Sequence, residues 1–423
     1  MLGRTQTGVH YCNLSAKKYI PDYIATVLTR LPRGECSMRN SQLWSSTPVL
    51  VSVFLLSWPF LSAHAQRSKS SESQASQANR AWPPCVAADP SEPRGLVVVI
   101  ENKPQARSLD LGALNNPCIS GVALQIHWSD IEPVQGKPDW SKLDELFAAA
   151  ESSKKWVQLL IFPGFFAPAW ALEGVKTEQF AIQYGPGKGT LLSLPMPWDR
   201  VYLNRWIAFL KLLGDRYGKS PAFRMIGAVG PTSVSAEMSL PELPKNLKIW
   251  QDDSYTSAKY IGAYQKVFQA YAADFPNQSI SLSLGIGLNI DNQGRRAPGE
   301  GMRTRQTIID QAMRLLGRRF VLQNSDLSAG PVQHPATTFV INYSGRIITG
   351  LQLRTSCERN SRDMGAAGDP PLALRRSINK GMEPNNSGQH IDYLEIYEPD
   401  VRADDLQPVL RYGASLFARD QNP

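Results

Sequence analysis

Cysteine and histidine are scarce, five of each in 423 residues, and neither recurs at ligand spacing. With no Cys-x-x-Cys and no His-x-x-x-His, the sequence offers no ready structural zinc or redox site, and no metal or organic cofactor is expected. Dense basic clusters interleaved with aromatics are also missing, so nothing is laid out to track a phosphate backbone. Nucleic acid is therefore not an expected partner. The excess of eight positive charges is itself shallow: residues 1–65 hold six Lys/Arg against two Asp/Glu, which leaves a net charge of +4 on the rest. Long apolar runs are equally rare. The clearest one, from Pro48 to Leu61, is too short for a comfortable membrane span.

That run has the surroundings of an export signal. Met38 and Arg39 precede it, and Ala63-His64-Ala65 followed by Gln66 forms a small-x-small cleavage site. The expectation is a signal peptide over residues 38–65, a mature chain starting near Gln66, and residues 1–37 as an upstream extension ahead of the true start. An uncleaved anchor is the alternative. The product is then secreted or periplasmic, with no membrane attachment after cleavage. Residues 66–80 (QRSKSSESQASQANR) are polar and lack apolar periodicity, so they cannot offset ordering entropy by burial. A disordered linker is expected over 66–92. Cleavage leaves Cys85, Cys118 and Cys357. One pair can close in an oxidising compartment, and Cys85 with Cys118 would tie the N-terminal segment to the domain that follows.

Beyond Pro93, short β-branched runs alternate with helical patterns, which argues for repeated βα units around a parallel sheet. Eight strand candidates can be counted: Leu96–Ile100, Gly121–Trp128, Trp156–Phe162, Phe223–Val229, Ser279–Leu284, Phe320–Leu322 with a polar continuation to Asp326, Ile347–Leu353 and Asp392–Tyr397. Helices between them carry apolar stripes, such as Leu203, Trp206, Ile207, Leu210 and Leu213. Thr338–Tyr343 also reads as a strand, so the sixth and seventh assignments can shift by one element. The fold class is α/β, a (β/α)8 TIM barrel over residues 93–420, a size that one domain of this kind accommodates.

Active sites of such barrels form at the C-terminal ends of the strands. There the sequence puts His127-Trp128, Phe165-Phe166 and Trp170, Glu237, and the trio Tyr393, Glu395 and Tyr397. Aromatic faces interleaved with carboxylates suit a sugar, whose C–H faces stack while its hydroxyls take hydrogen bonds. Cleaving a glycosidic bond needs two carboxyl groups, one acid with a raised pKa and one nucleophile or base. Glu237 lies in AVGPTSVSAEMSLP, with Met238 and Leu240 around it, and apolar neighbours favour a retained proton. A solvated loop glutamate is the bland alternative.

The stretch GVALQIHWSDIEPVQGKPDWSKLDELFAAAESSKKWVQLLIFPGFFAPAW resembles the second and third βα units of clan-A glycoside hydrolases, especially the β-galactosidase-like family 42 and its relatives. Matching positions are Trp128, Glu132, Pro133, Gly136, Asp139, Trp140, Leu143, Asp144, Gly164, Pro168 and Trp170. The resemblance covers roughly residues 119–172 and implies a barrel hydrolase of β-linked sugars. It also implies structural roles for Glu132 and Asp144, and an acid/base glutamate after the fourth strand, the place of Glu237. Two departures stand out: Ala236 replaces the usual Asn before that glutamate, and the loop is longer.

The resemblance further implies a nucleophilic glutamate at the end of the seventh strand, where this chain has Gln352. Glu395, Glu358 and Glu398 can take its place. Glu395 is preferred, because alternation puts Tyr393, Glu395 and Tyr397 on one strand face and a strand carboxylate is held more rigidly than a loop one. Its alternative is a core glutamate hydrogen-bonded to Arg354 or Gln352. His127, Trp128, Trp170, Gln352 and Tyr397 are the candidate sugar-binding wall. The leading expectation is an exported, β-galactosidase-like glycoside hydrolase acting on an oligosaccharide or polysaccharide. Its rivals are a carbohydrate-binding barrel that has lost catalysis, as Gln352 suggests, and a transglycosylase that uses a sugar acceptor in place of water.

Overall fold

The computed structural model describes residues 84–85, 88–103, 106–182, 189–382 and 389–419. The expected signal peptide, the upstream extension and most of the linker lie outside the described residues.

Eight parallel strands close into a barrel, and a two-stranded antiparallel hairpin sits beside it. In chain order the strands are β1 (Gly95–Glu101), β2 (Ile119–His127), β3 (Trp156–Phe162), β4 (Thr177–Ala181), β5 (Leu191–Pro195), β6 (Phe223–Gly227), β7 (Ser279–Ser283), β8 (Phe320–Leu327), β9 (Ile348–Leu353) and β10 (Tyr393–Tyr397). Strands β4 and β5 form the hairpin, and β10 pairs with β1 to close the cylinder. The fold class read from the sequence is the one observed.

All eight expected strands exist, within about two residues at each end. The alternative strand at Thr338–Tyr343 is instead part of a helix, Pro335–Ile341, which Pro335 opens at its first turn. Hairpin β4–β5 and the helix Pro244–Asp252 were not among the expected elements.

The helices packed around the strands include α1 (Ser141–Ser152), α2 (Arg200–Tyr217), α3 (Ser257–Asp274), α4 (Glu300–Leu316), α5 (Pro370–Met382) and α6 (Gln407–Arg419). Their stripes form as the periodicity predicts: α2 buries Leu203, Trp206, Leu210 and Leu213 together with Tyr202, Phe209 and Tyr217. Asp199 caps α2, its carboxylate accepting from the Tyr202 amide at 2.9 Å. Asp139 supports the start of α1 by accepting from the Ser141 amide.

The described end of the expected linker is held against the barrel. Cys85 and Cys118 are joined by a disulfide with Cα atoms 4.8 Å apart, and the Ala88 amide donates to Ser120 Oγ. Cys357 is buried and free. Among the described residues, no helix is long and apolar enough to cross a membrane.

Candidate active site

The interior of the barrel is set by strand alternation, which sends every second side chain inward. Gly121 and Gly350 make room for two rings, Trp156 and Tyr393, which meet edge to face with centroids 5.9 Å apart. Above them lies a polar layer. The Tyr393 hydroxyl donates to Gln323 Oε1 at 2.8 Å, and Gln158 Nε2 donates to the same oxygen at 3.1 Å. Glu395, one alternation beyond Tyr393, is in this layer and fully buried.

Neither oxygen of Glu395 has a hydrogen bond of good geometry. Burial pushes its pKa up to about 8; the nearby amides of Gln323 and Gln158 pull the other way, and the charge of Glu237 adds to the rise. A carboxyl in that state keeps its proton at neutral pH. The expected partners, Gln352 and Arg354, are engaged elsewhere: Gln352 Nε2 donates to the Tyr397 hydroxyl at 3.0 Å, and Arg354 faces Asp326.

Glu237 reaches the mouth by a route the sequence did not disclose. Its loop leaves β6 and crosses to β7, where Glu237 forms a parallel bridge with Ser283 and the Met238 amide donates to the Ser283 carbonyl at 3.0 Å. Two glycines allow this path. A Cβ on Gly285 would stand 2.0 Å from the Met238 carbonyl oxygen, and one on Gly164 would stand 2.2 Å from that of Ser233. The Ser235 hydroxyl donates to the Glu237 carboxylate, and the residue is partly buried.

Tyr397 closes this end of β10. After burial, the charges of Glu101, Glu237 and Glu395 all act to raise its pKa, so one phenol stands among three carboxyl groups. Glu101 ends β1 in register with Gln125 and was not among the expected site residues. It closes an apolar strand with a carboxylate, the same signal that singled out other strand ends.

The expected aromatic wall divides. His127 lies at the end of β2, stacked on Phe166 with centroids 3.8 Å apart, and its Nδ1 is 3.6 Å from Asp130. Burial lowers its pKa, and Asp130 opposes that shift. Trp128 is not in a wall open to ligand. It is fully buried between β2 and α2, packed on Trp170, Trp206 and Phe209, with Nε1 donating to Glu132 at 3.1 Å. Trp170 leans on it and donates to the Glu132 carbonyl. The helix begins at Trp128, and that turn carries the ring out of the barrel row.

Glu132 also accepts from the Gly136 amide, and Asp144 pairs with Arg216 and the Tyr217 hydroxyl on the barrel flank. Both are positioned as structural groups. Glu358 is exposed, and Glu398 pairs with Arg402 at 2.7 Å. Two clefts, of about 400 and 320 Å³, open on the flank against α2; Glu132 and Trp170 line the first, and neither is lined by Glu237 or Glu395. The carboxylate mouth lies at the strand ends, where ligands of this fold bind. Among the described residues, no three His, Cys, Asp or Glu side chains converge as metal ligands.

No protein-family model and no curated protein matches the chain. Solved structures similar to it include the β-galactosidase of the psychrophilic Marinomonas ef1, at 11% identity and a TM-score of 0.45, covering 76% of this chain and 59% of that one. Xylanase B of Clostridium stercorarium F9 is similar at 11% identity and a TM-score of 0.40, over 72% of this chain and 85% of that one. The chain thus spans about three-fifths of the β-galactosidase. Likenesses this distant leave the activity to be argued from the site.

Proposed function

We propose that this barrel is an exported glycoside hydrolase acting on β-linked, galactoside-like sugars through Glu237 and Glu395. The observation that supports the reading is the bridge between Glu237 and Ser283, together with the effect of the Glu237 charge on the buried carboxyl of Glu395. Glycosidic cleavage requires two carboxyl groups, one of which holds its proton. The roles expected from the sequence are protonation of the leaving oxygen by Glu237 and attack, or activation of water, by Glu395. The burial of Glu395 favours the reverse division: Glu395 retains the proton at neutral pH, which leaves the attack or the activation of water to Glu237. No metal or organic cofactor enters this scheme. The disulfide between Cys85 and Cys118 supports export into an oxidising compartment.

The test is turnover of a panel of aryl β-glycosides by wild type, Glu237→Gln and Glu395→Gln. Each substitution is expected to lower kcat/KM by about 100-fold or more. Turnover that Glu237→Gln does not reduce removes that residue from the reaction. A second reading is a sugar-binding barrel without catalysis, favoured by the full enclosure of Glu395 and by Gln352 at the end of β9. Binding of oligosaccharides with no turnover on any aryl glycoside supports it.

A further inference from the structure

Strand β1 brings a third carboxylate to the mouth, on the side away from Glu237. In the closed order of the barrel, β7 is the fourth strand from β1 in either direction, and Glu237 bridges β7. The register fixes which way Glu101 faces. Val97 and Val99 pair with Glu395 and Tyr397 of β10, so they share the inward row, and Glu101 is the next residue of that row. Its neighbour agrees with the alternation. The Asn102 amide carries the ladder on to the Gln125 carbonyl at 2.8 Å, while its side chain turns to the outer layer and accepts from Lys142 of α1 at 2.7 Å.

Access separates Glu101 from Glu395. Val99 beneath it is buried, but Glu101 itself is exposed, so a ligand can reach its carboxylate, whereas Glu395 is fully buried. On β2 the half-buried Gln125 stands in register with Glu101, which sets an amide donor beside a carboxylate acceptor. On β10 the Tyr397 hydroxyl feels the charge of Glu101 together with those of Glu237 and Glu395. A closed ring of eight strands about 4.8 Å apart and tilted by about 36° is roughly 15 Å across. Glutamates reaching in from opposite walls leave space between them for a small ligand such as one sugar ring.

We propose that Glu101 is a ligand-binding carboxylate that takes hydroxyl hydrogens of the sugar on the side of the mouth opposite Glu237. The inference rests on the carbohydrate reading above but not on catalysis. Charge-assisted bonds from hydroxyls to a carboxylate are about twice as strong as neutral ones, and a site built around such a bond rejects a sugar that lacks the hydroxyl. Glu101 therefore sets specificity, and bond breaking stays with Glu237 and Glu395.

The experiment is calorimetric binding of methyl β-galactoside and its monodeoxy analogues to wild type, Glu101→Gln and Glu101→Ala. An exposed strand-end carboxylate carries no core packing, so both variants are expected to keep the urea midpoint of wild type. Wild type should bind the parent sugar about 10- to 100-fold tighter than either variant does. At least one deoxy analogue should bind wild type equally weakly and lose nothing more in Glu101→Gln, because that hydroxyl and the carboxylate are two ends of one bond. With an aryl β-galactoside as substrate, the loss should fall on KM more than on kcat. Parent-sugar binding that Glu101→Gln leaves unaltered overturns the proposal, as does the same fold loss for every analogue in wild type and variant. A fall in kcat as deep as that of Glu237→Gln also overturns it, since Glu101 would then be a reacting group. Weakened binding in Glu101→Gln, in a protein that turns over no aryl glycoside, overturns the hydrolase reading and leaves this one standing. Turnover lost in Glu237→Gln beside unaltered binding in Glu101→Gln does the reverse.

Discussion

The ring of Tyr393 fills the space that a side chain on Gly350 would need: a Cβ there would stand 2.0 Å from the ring. The two residues face each other in register across β9 and β10. The same relation joins Gly121 to Trp156, where the nearest ring atom would be 2.5 Å away. These two glycines admit the rings that floor the barrel, and the polar layer of Gln158, Gln323 and Glu395 rests above that floor.

Gly350→Ala is accordingly expected to destabilise the fold by about 1–3 kcal/mol through overpacking. The ring is trapped between Gly350 and Trp156 and cannot swing away. The measurement is the urea midpoint at constant m-value. An unchanged midpoint would mean that Tyr393 does not occupy the barrel interior.

Glu395 gives the fold a pH dependence of known sign. Its pKa rises from 4.5 to about 8 on folding, so between those values the folded chain holds a proton that the unfolded chain has released. The associated stability is complete below about pH 4.5 and is lost as pH rises towards 8, an effect on the order of a few kcal/mol. Glu395→Gln, which stays neutral, should flatten that slope. Urea unfolding at several pH values across the window decides the matter, and an unaltered slope would mean that Glu395 is not buried in its protonated form.

The barrel was legible because strand patterning and helical stripes are local. Trp156–Phe162 reads as an apolar run broken only by Gln158, and its strand has those bounds. The alternation of Tyr393, Glu395 and Tyr397 against Leu394 and Ile396 was equally readable. What local pattern cannot carry is the path of a loop. Glu237 follows β6 in the chain, but its backbone bridges the end of β7, because close approaches at Gly164 and Gly285 steer the loop sideways. Trp128 failed for a related reason: the strand ends one residue before it, and the first helical turn points its ring outward.

Trp128 should behave as a packing residue. Trp128→Ala is expected to cost about 3–5 kcal/mol, the usual range for truncating a large buried aromatic, with part of that from orphaning Glu132. Trp128→Phe keeps most of the contacts with Trp206 and Phe209. If that variant folds yet loses sugar binding while Phe166→Ala does not, the ring belongs to the ligand site after all.

Gly285→Ala tests the loop path that delivers the candidate catalytic carboxylate. A methyl group cannot share space with the Met238 carbonyl oxygen 2.0 Å away, and the Met238 amide is bonded to Ser283. The backbone around Glu237 must therefore lift from β7. Positioning errors of about 1 Å at a reacting group cost on the order of 100-fold, so the variant should lose turnover nearly as far as Glu237→Gln. Because the loop lies at the rim, the core strands should keep most of their amide protection from hydrogen exchange. Full turnover in Gly285→Ala would mean that the bridge to Ser283 does not position Glu237. Loss of protection throughout the barrel would mean that the glycine supports the fold as a whole.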